Sequence, residues 1–384
     1  MRLKNVKATG MGRFFTLSRQ FPNCINLSLG EPDFPVPEGA FNAGLKAAAG
    51  GRIGYEPTNG IAALRKALVD RIFREHKLEY DPESEVLVTV GATEAVSIAL
   101  LALVNPGDEV LVPDPGFVTY EPCVAISDGR PVSIPLFEKN GFCPCPSDVT
   151  SLLTPKSRVM LLNFPNNPTG SILSYKEVRE LAKITRERDL LVISDEVYEK
   201  IIYDGTKHEC IAALPGMRER TLVIGSFSKT YAMTGLRVGY VFGPKDLIAP
   251  LWKLHQYMVA CVDSIAQQVA LAALVGSQEP VREMVEEFGR RRDLVFSRLN
   301  EIDGITCVRP KGAFYAFPNI AAFNMSSEQF SEYLLREAHV ITVPGSLFGA
   351  LGEGYVRLSY TADYSRLEEA FARIEKTVSR LKHD

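Results

Sequence analysis

Apolar positions along this chain follow two alternating patterns, one typical of buried strands and one typical of amphipathic helices. Short apolar runs occur at residues 85–90, 109–114, 130–136, 157–165, 190–198, 221–228 and 236–243. Segments with helical spacing separate several of them, for example residues 174–189, where one face carries Val178, Leu181, Ala182 and Ile184. Apolar runs that alternate with helices predict an α/β fold, with a mixed, mostly parallel sheet sandwiched by helices.

The pattern changes after residue 245. Long helical segments occupy residues 262–275 and 279–302, and a closing helix begins near residue 363. Between them lie short strand-like runs, at residues 305–310, 312–318 and 355–361. Long helices followed by a few short strands indicate a second, smaller α+β unit.

The length of the chain also favours two domains. A chain of 384 residues exceeds the usual size of a single hydrophobic core. We therefore predict a large domain over residues 40–280. The smaller domain is predicted to consist of residues 281–384 together with an N-terminal arm, residues 1–39.

Composition and charge exclude several classes of protein. The chain is 46% hydrophobic and 23% charged, as is typical of a soluble globular protein. A net charge of −3 offers no basic surface to nucleic acid or to an anionic membrane, and the longest apolar run, residues 96–104, is too short to span a bilayer. Seven cysteines without framework spacing favour a reducing compartment, and Cys143 and Cys145 are interpreted as loop thiols. Five scattered histidines predict no metal site.

The N-terminal residues 2–30 contain basic but no acidic side chains, a composition that transit peptides share. They lack the apolar segment of a signal peptide, and the motif INLSLGEPDF begins at residue 25. We therefore expect an ordered arm in a cytoplasmic protein.

Polar residues follow four of the predicted strands. Ligands of open α/β sheets bind at the carboxyl ends of the strands, so we expect these side chains to surround one site. In chain order they are Ala92 with Thr93, Asn167, Asp195 with Tyr198, and Lys229. Ala92 and Thr93 would offer backbone N–H groups and a hydroxyl to an anion at the start of a helix.

Each of these residues has a local explanation when it is taken alone. Asn167 could belong to a turn, Asp195 could cap a following helix, and Lys229 could be a solvated surface charge. Ser226 and Ser228 could satisfy neighbouring backbone groups. Four such coincidences, each at the carboxyl end of a strand, explain the pattern less well than one shared ligand site.

The segment GSFSKTYAMTGLRVGY, residues 225–240, brings Ser226, Ser228, Lys229 and Arg237 close together. Two hydroxyls and two cations invite an anionic ligand. A lysine that is partly buried beside another cation loses its proton near neutral pH and can then form a Schiff base. The single lysine among these groups raises the question whether Lys229 holds a ligand covalently.

Four segments resemble signature segments of the class I/II aminotransferases, which are fold type I enzymes that use pyridoxal 5′-phosphate (PLP). They are SFSKTYAMTGLRVGY, NFPNNPTG, SDEVY and GEGYVRLSY. The resemblance runs from LSLGEPDF through YEPTNG to YVRLSYT and covers nearly the whole chain. Within the family it is nearest to the bacterial branch of aspartate, alanine, aromatic and N-acetyl-diaminopimelate aminotransferases.

The resemblance implies roles around the ring of PLP. Lys229 would hold PLP as a Schiff base, and Asp195 would keep the ring nitrogen protonated, as an electron sink requires. Asn167 and Tyr198 would hydrogen-bond the ring hydroxyl oxygen. Phe117 matches an aromatic position that stacks on the ring, where other members often have tyrosine or tryptophan.

The resemblance also implies a phosphate site. Its donors would be backbone N–H groups, hydroxyls and one cation, from Ala92, Thr93, Ser226, Ser228 and Arg237. Tyr55 matches a tyrosine that reaches the phosphate of the neighbouring subunit, which would place the active site at a homodimer interface. A packed loop aromatic is the other interpretation of Tyr55.

The resemblance assigns the substrate site to three residues. Arg357 would bind the α-carboxylate by a two-point contact, Gly30 would belong to a loop that closes over it, and Asn167 would line the same site. Alternation along GYVRLSY leaves open the simpler interpretation that Arg357 lies on a solvated strand face. Lys229, once the substrate amine has displaced it, would move the proton between Cα and the cofactor.

These implications describe a PLP-dependent aminotransferase that moves an amino group from an L-amino acid to a 2-oxo acid, 2-oxoglutarate, by a ping-pong mechanism. The donor could be aspartate, alanine, an aromatic amino acid or N-acetyl-diaminopimelate. A dicarboxylate donor would need a second cation, from Arg13, Arg19 or a partner chain. A β-C–S lyase or a cyclopropane-forming synthase would share the cofactor site, so both remain alternatives. A PLP-binding transcription regulator is a further alternative, but it would need a DNA-binding module, for which there is little room before GEPDF.

Overall fold

The computed structural model describes Gly10, Phe21 and residues 23–51 and 53–382. Seven strands form its main sheet: β2 (Val86–Thr89), β3 (Glu109–Asp114), β4 (Arg130–Pro135), β5 (Ser157–Asn163), β6 (Leu191–Asp195), β7 (Thr221–Ser226) and β8 (Gly239–Phe242). Their order across the sheet is β2-β8-β7-β6-β5-β3-β4. β8 is antiparallel to both of its neighbours, and the other neighbouring pairs are parallel. Each predicted apolar run forms one of these strands, so the predicted mixed, mostly parallel sheet is confirmed.

Helices cover both faces of the main sheet. They are α1 (Glu38–Ala49), α2 (Ala62–His76), α3 (Gly91–Leu103), α4 (Tyr120–Ile126), α5 (Pro146–Leu152), α6 (Tyr175–Glu187), α7 (Phe227–Thr230), α8 (Lys245–Met258) and α9 (Ser264–Val275). Three further helices belong to the C-terminal part, namely α10 (Glu279–Glu301), α11 (Ser327–Tyr333) and α12 (Tyr364–Val378). Val159 and Leu161 of β5 pack with α3, α4 and α8, whereas Met160 and Leu162 pack with α5 and α6. Because successive strand residues point to opposite faces, a strand covered on both sides is apolar along its length.

Helix α6 begins at a capping box. The hydroxyl of Ser174 accepts the N–H of Glu177, and the Glu177 carboxylate accepts the N–H of Ser174. The residues predicted to lie on its inner face are buried, namely Val178, Leu181, Ala182 and Ile184. Among the described helices, none is long and apolar enough to cross a membrane.

The C-terminal part contains a smaller antiparallel sheet. It consists of β9 (Tyr315–Ala316), β11 (Val343–Pro344) and β12 (Val356–Ser359), in the order β11-β12-β9. A separate parallel pair joins β1 (Ile25–Asn26) to β10 (Val340–Ile341). This pair links the N-terminal arm to the C-terminal part and supports the predicted domain division at residues 40 and 280, which stays a prediction.

The strand predicted at residues 305–310 is wrong. Only an isolated bridge between Thr306 and Asn319 forms there. The next backbone N–H, that of Cys307, is satisfied by the side-chain oxygen of Asn300 at 3.1 Å instead of by a strand.

A buried ion pair connects α2 to the turn that follows β6. Nη1 of Arg71 lies 2.7 Å from Oε1 of Glu199, and both side chains are 8% exposed. Nη2 of Arg71 donates to the hydroxyl of Tyr240 in β8 at 2.7 Å. The Tyr240 ring fills the space beside Gly225, where an added Cβ would lie 2.2 Å from the ring. Arg71 therefore supports both the turn after β6 and the end of β7.

We expect Arg71→Met to lower the free energy of unfolding by about 3–5 kcal/mol, because the buried Glu199 carboxylate would lose its cation. The double variant Arg71→Met/Glu199→Gln should lose less than the single variant. Urea unfolding measures both values.

Arg65→Met is a matched control on the same helix. Arg65 is also buried, but its partner Glu83 has a side chain that is 69% exposed. We expect this change to cost less than about 1 kcal/mol. Equal losses for Arg71→Met and Arg65→Met would contradict the importance of the buried pair.

Candidate active site

A cavity of about 210 Å³ lies at the carboxyl ends of β5, β6 and β7. It is lined by every predicted site residue except Tyr55, namely Gly30, Ala92, Thr93, Phe117, Asn167, Asp195, Tyr198, Ser226, Ser228, Lys229, Arg237 and Arg357. Arg357 comes from β12 and Gly30 from the segment after β1, so both sheets contribute to the site. The fold thus brings together residues that are far apart in sequence, while their individual roles remain predictions.

Lys229 lies in α7, directly after β7. Its Nζ donates a hydrogen bond to the backbone oxygen of Gly30 at 2.6 Å. Burial is the main cause that lowers the pKa of the Lys229 amine to about 8. Glu31 opposes this shift, and the cations Arg357 and Arg237 add to it. This amine therefore loses its proton much closer to neutral pH than an ordinary lysine does, as a nucleophile or a base requires.

Asp195 ends β6 and is buried. The Tyr120 hydroxyl donates to its Oδ2 at 2.7 Å, and the Val197 N–H donates to its Oδ1 at 3.4 Å. Burial raises the pKa of the Asp195 carboxyl to about 6, although the hydrogen bond from Tyr120 opposes that rise. No helix begins after Asp195, since residues 197–200 form a turn, so the interpretation of Asp195 as a helix cap is wrong. A buried carboxylate of this kind favours a cationic ligand atom.

The donors predicted for phosphate surround the start of α3. Ser226 accepts the N–H of Ser228 at 3.1 Å, and the Ser228 hydroxyl is buried without a hydrogen-bond partner among the described residues. The Arg237 guanidinium lies against Gly91, where an added Cβ would be 2.5 Å from Nη2. A free hydroxyl, a guanidinium and a helix N-terminus suit a phosphate group, so these residues fit the phosphate of PLP.

Arg357 is buried and lies among polar and aromatic groups. Nη1 donates to Oδ1 of Asn167 at 3.0 Å, and Nη2 donates to the backbone oxygen of Ser28 at 2.5 Å. Its guanidinium lies 4.6 Å from the ring centre of Tyr315, and its Nε has no partner among the described residues. Burial lowers the pKa of Arg357 from its ordinary value. The interpretation as a solvated strand face is therefore wrong, and the geometry suits a carboxylate ligand.

Gly30 is placed where only a glycine fits. An added Cβ would lie 2.1 Å from the hydroxyl oxygen of Tyr315. The Tyr315 hydroxyl also lies 2.9 Å from that of Tyr198, so the three residues pack as one wall of the cavity.

Sequence reasoning missed four polar residues of the cavity, namely Thr119, Tyr120, Asn163 and Tyr315. Asn163 carried a signal, because it ends β5 as Asp195 ends β6, and its Nδ2 donates to the Asp195 backbone oxygen at 3.1 Å. Tyr120 and Tyr315 carried none, since a tyrosine in a helix or short strand is usually part of the core.

Tyr55 does not line the cavity and is 93% exposed. The interpretation as a packed loop aromatic is therefore wrong within one chain. Arg13 and Arg19, considered as cations for a dicarboxylate substrate, lie outside the described residues.

The fold groups histidines that are scattered in the sequence. Ligand atoms of Glu75, His76 and Glu199, and those of Glu196, Glu199 and His208, lie within 4.8 Å of one another. Two of these carboxylates already have a basic partner: Lys200 lies 2.7 Å from Glu75, and His208 lies 2.7 Å from Glu196. The prediction of no metal site stays a prediction. Cys143 and Cys145 are free thiols in a loop, as predicted.

Comparison with known proteins identifies the family. The model of the family described as aminotransferase class I and II matches residues 22–374. The aspartate aminotransferase of Pyrococcus abyssi is 42% identical over 99% of this chain and 98% of its own, and the probable N-acetyl-LL-diaminopimelate aminotransferase of Bacillus subtilis is 37% identical over 97% and 94%. The crystal structure of an aromatic aminotransferase from Pyrococcus horikoshii superposes with a TM-score of 0.92 at 41% identity, covering 96% of this chain and 99% of that one.

The chain therefore belongs to the class I and II aminotransferases, which are PLP-dependent transferases of fold type I. The predicted fold class, cofactor and enzyme class are confirmed. The named relatives are aminotransferases, which favours transamination over the lyase, synthase and transcription-regulator alternatives.

We expect Asp195→Asn to stabilise the PLP-free protein in a pH-dependent way. The pKa of this carboxyl is about 6 in the folded chain and 3.8 ordinarily, so the folded form binds the proton more tightly. The resulting stabilisation is present below the ordinary pKa and is lost as the pH rises through about 6. Above that pH the variant should exceed the parent in free energy of unfolding by on the order of 2–3 kcal/mol.

Urea unfolding over a pH series measures this difference. Asp70→Asn, at an exposed position of α2, serves as the control and should show no such trend. A difference for Asp195→Asn that stays constant with pH would contradict the role of burial.

Proposed function

We propose that this aminotransferase moves the amino group of an L-amino acid to 2-oxoglutarate in two half-reactions, with Lys229 as the residue that holds PLP. The observation that carries this proposal is the convergence of Lys229, Asp195 and Arg357 on one cavity, with the Lys229 pKa lowered to about 8. PLP, when bound, supplies an aldehyde that accepts an amino group and a protonated ring that takes up the electrons of a broken bond to Cα.

The residues around the ring have complementary tasks. Asp195 would hold the ring nitrogen in its protonated form, and the hydrogen bond from Tyr120 would keep the carboxylate oriented. Asn167 and Tyr198 would bind the ring hydroxyl oxygen, and Phe117 would pack on the ring face. These positions all lie at the cavity wall, which supports the assignment.

The phosphate would be bound at the start of α3. The unpartnered hydroxyl of Ser228 and the guanidinium of Arg237 support this assignment, together with Ser226 and the backbone of Ala92 and Thr93. A helix N-terminus stabilises an anion because its first N–H groups have no acceptor within the helix.

The substrate would be held by its α-carboxylate at Arg357, with Gly30 and Asn167 beside it. The buried guanidinium offers two N–H groups in a fixed plane, which suits a two-point contact. Lys229 Nζ would then remove the proton from Cα, because burial brings the pKa of this amine close to neutrality.

The side chain of the donor is a separate question. The relatives include an aspartate and an N-acetyl-diaminopimelate aminotransferase, and the superposed structure is that of an aromatic aminotransferase. The described cations of the cavity are Lys229, Arg237 and Arg357, and each already has an assigned partner. We propose donors from the aspartate, alanine, aromatic or N-acetyl-diaminopimelate classes. An acidic side chain would need a further cation from the N-terminal arm or a second subunit.

We also propose a homodimer in which Tyr55 reaches the phosphate site of the partner subunit. Tyr55 is 93% exposed, and the nearby helix α1 exposes 54% of both Phe41 and Leu45. Exposed aromatic and aliphatic side chains of this size favour an interface. The cytoplasmic location stays a prediction.

The donor can be named by half-reactions followed through the visible absorption of the bound cofactor. Purified holoenzyme is mixed with one amino acid at a time from the four donor classes, and 2-oxoglutarate is then added. A donor should change the spectrum, and 2-oxoglutarate should restore it. A donor that releases keto acid and ammonia without a restorable change would contradict the proposal.

Lys229→Ala is the matching variant. We expect it to bind PLP without a covalent link and to lose turnover, because both the attachment point and the base are removed. Borohydride reduction should fix PLP to the parent protein and not to the variant, which mass spectrometry detects. Normal turnover by Lys229→Ala would contradict the assignment.

We expect Arg357→Gln to raise KM roughly 10–100-fold for every amino donor, because a charged two-point contact to the α-carboxylate is lost. Steady-state kinetics with two unrelated donors measures this effect. Arg366→Gln, at an exposed position of α12, should leave KM unchanged. An effect of Arg357→Gln on only one donor would assign the arginine to side-chain recognition instead.

A further inference from the structure

Helix α3 carries a carboxylate close to the end that is proposed to bind phosphate. Glu94 lies in its first turn, and Oε2 of Glu94 accepts the N–H of Val90 at 2.5 Å. Ala92 and Thr93, between these two residues, line the cavity. An acidic side chain at this end interacts favourably with the helix dipole, but it also competes with any other anion for the same N–H groups.

A histidine from another helix holds this carboxylate. Nδ1 of His255, in α8, lies 2.7 Å from Oε1 of Glu94. The His255 side chain is fully buried, and its Nε2 has no hydrogen-bond partner among the described residues. The contact with Glu94 is therefore the polar interaction that orients the ring. Since a carboxylate can only accept, Nδ1 is the donor.

The two contacts give each oxygen of Glu94 its own partner. One oxygen is held by His255 and the other by Val90, whose N–H precedes the cavity-lining part of α3. Without His255 the carboxylate would be free to turn toward the N–H groups of Gly91 and Ala92, which the helix itself leaves without acceptors. It would then occupy the phosphate position as an internal competitor.

We propose that His255 is a positioning residue for the cofactor: it holds Glu94 on the N–H of Val90 and so keeps the following N–H groups of α3 free for the phosphate of PLP. This inference rests on the proposed function in one respect, the assignment of the phosphate to the start of α3. It explains why an acidic residue is tolerated in the first turn of a helix that binds an anion.

The affinity of the PLP-free protein for PLP, compared with its affinity for pyridoxal, tests this role. Pyridoxal lacks the phosphate but fills the ring site, so the ratio of the two dissociation constants isolates the phosphate site. We expect His255→Phe to weaken PLP binding roughly tenfold, the order of one charged hydrogen bond, and to leave pyridoxal binding unchanged. The kcat at saturating PLP should stay within about twofold of the parent, because His255 lies outside the cavity lining.

Two further variants identify the cause. Glu94→Gln/His255→Phe should recover PLP affinity to within about threefold of the parent, because the competing charge is gone. Glu94→Gln alone should bind PLP as tightly as the parent or more tightly. This variant tests the proposal by itself if His255→Phe does not fold. Weaker PLP binding by Glu94→Gln, or no recovery in the double variant, would overturn the proposal.

Leu251→Ala is the control for general loosening of the contact between α3 and α8. Leu251 lies one turn before His255 and is fully buried in the apolar cluster that joins α8 to α3, so this change lowers stability without touching Glu94. It should leave the ratio of PLP to pyridoxal affinity unchanged. If His255→Phe weakens PLP and pyridoxal equally, as a merely structural defect would, the proposal fails. If the parent protein itself binds PLP no better than pyridoxal, the phosphate assignment fails instead.

Discussion

The parallel register of β5, β6 and β7 is the constraint on which the site depends. Asn163 pairs with Asp195, and Asp195 pairs with Ile224, two residues before Ser226. Neighbouring strands lie about 4.8 Å apart, so the polar side chains that end these strands emerge within reach of one another. A shift of one residue in any of these strands would turn its polar residue into the core and an apolar residue into the cavity.

Burial at this edge changes the chemistry of the two titratable groups. The same loss of water lowers the pKa of Lys229 to about 8 and raises that of Asp195 to about 6, which brings an amine and a carboxyl from opposite ends of the pH scale close to neutrality. Holding both groups out of water costs stability. Supporting contacts offset part of this cost, among them the hydroxyl of Tyr120 and the ion pair between Arg71 and Glu199 beneath the turn.

The sequence predicted the sheet and most of the cavity wall for the same reason. Apolar runs covered by helices identify strands, and a polar residue at the end of such a run has few reasons to be there except a ligand. Contacts between distant segments produce no comparable pattern in the sequence, so they could not be predicted from it. His255 and Glu94 are 161 residues apart, and Tyr120 reaches Asp195 from a helix. The failed strand at residues 305–310 has the same origin, because a side chain of α10 took the hydrogen bond that a strand needs.

Three cations of the cavity have positions that are set by the protein itself. Lys229, Arg237 and Arg357 are each fixed by backbone or amide oxygens of neighbouring segments, so their positions do not depend on the substrate side chain. On the proposed assignment, the groups common to every substrate of this class, the α-carboxylate and Cα, would meet side chains that the protein itself holds in place. Specificity can therefore vary among relatives while the chemistry at Lys229 stays the same.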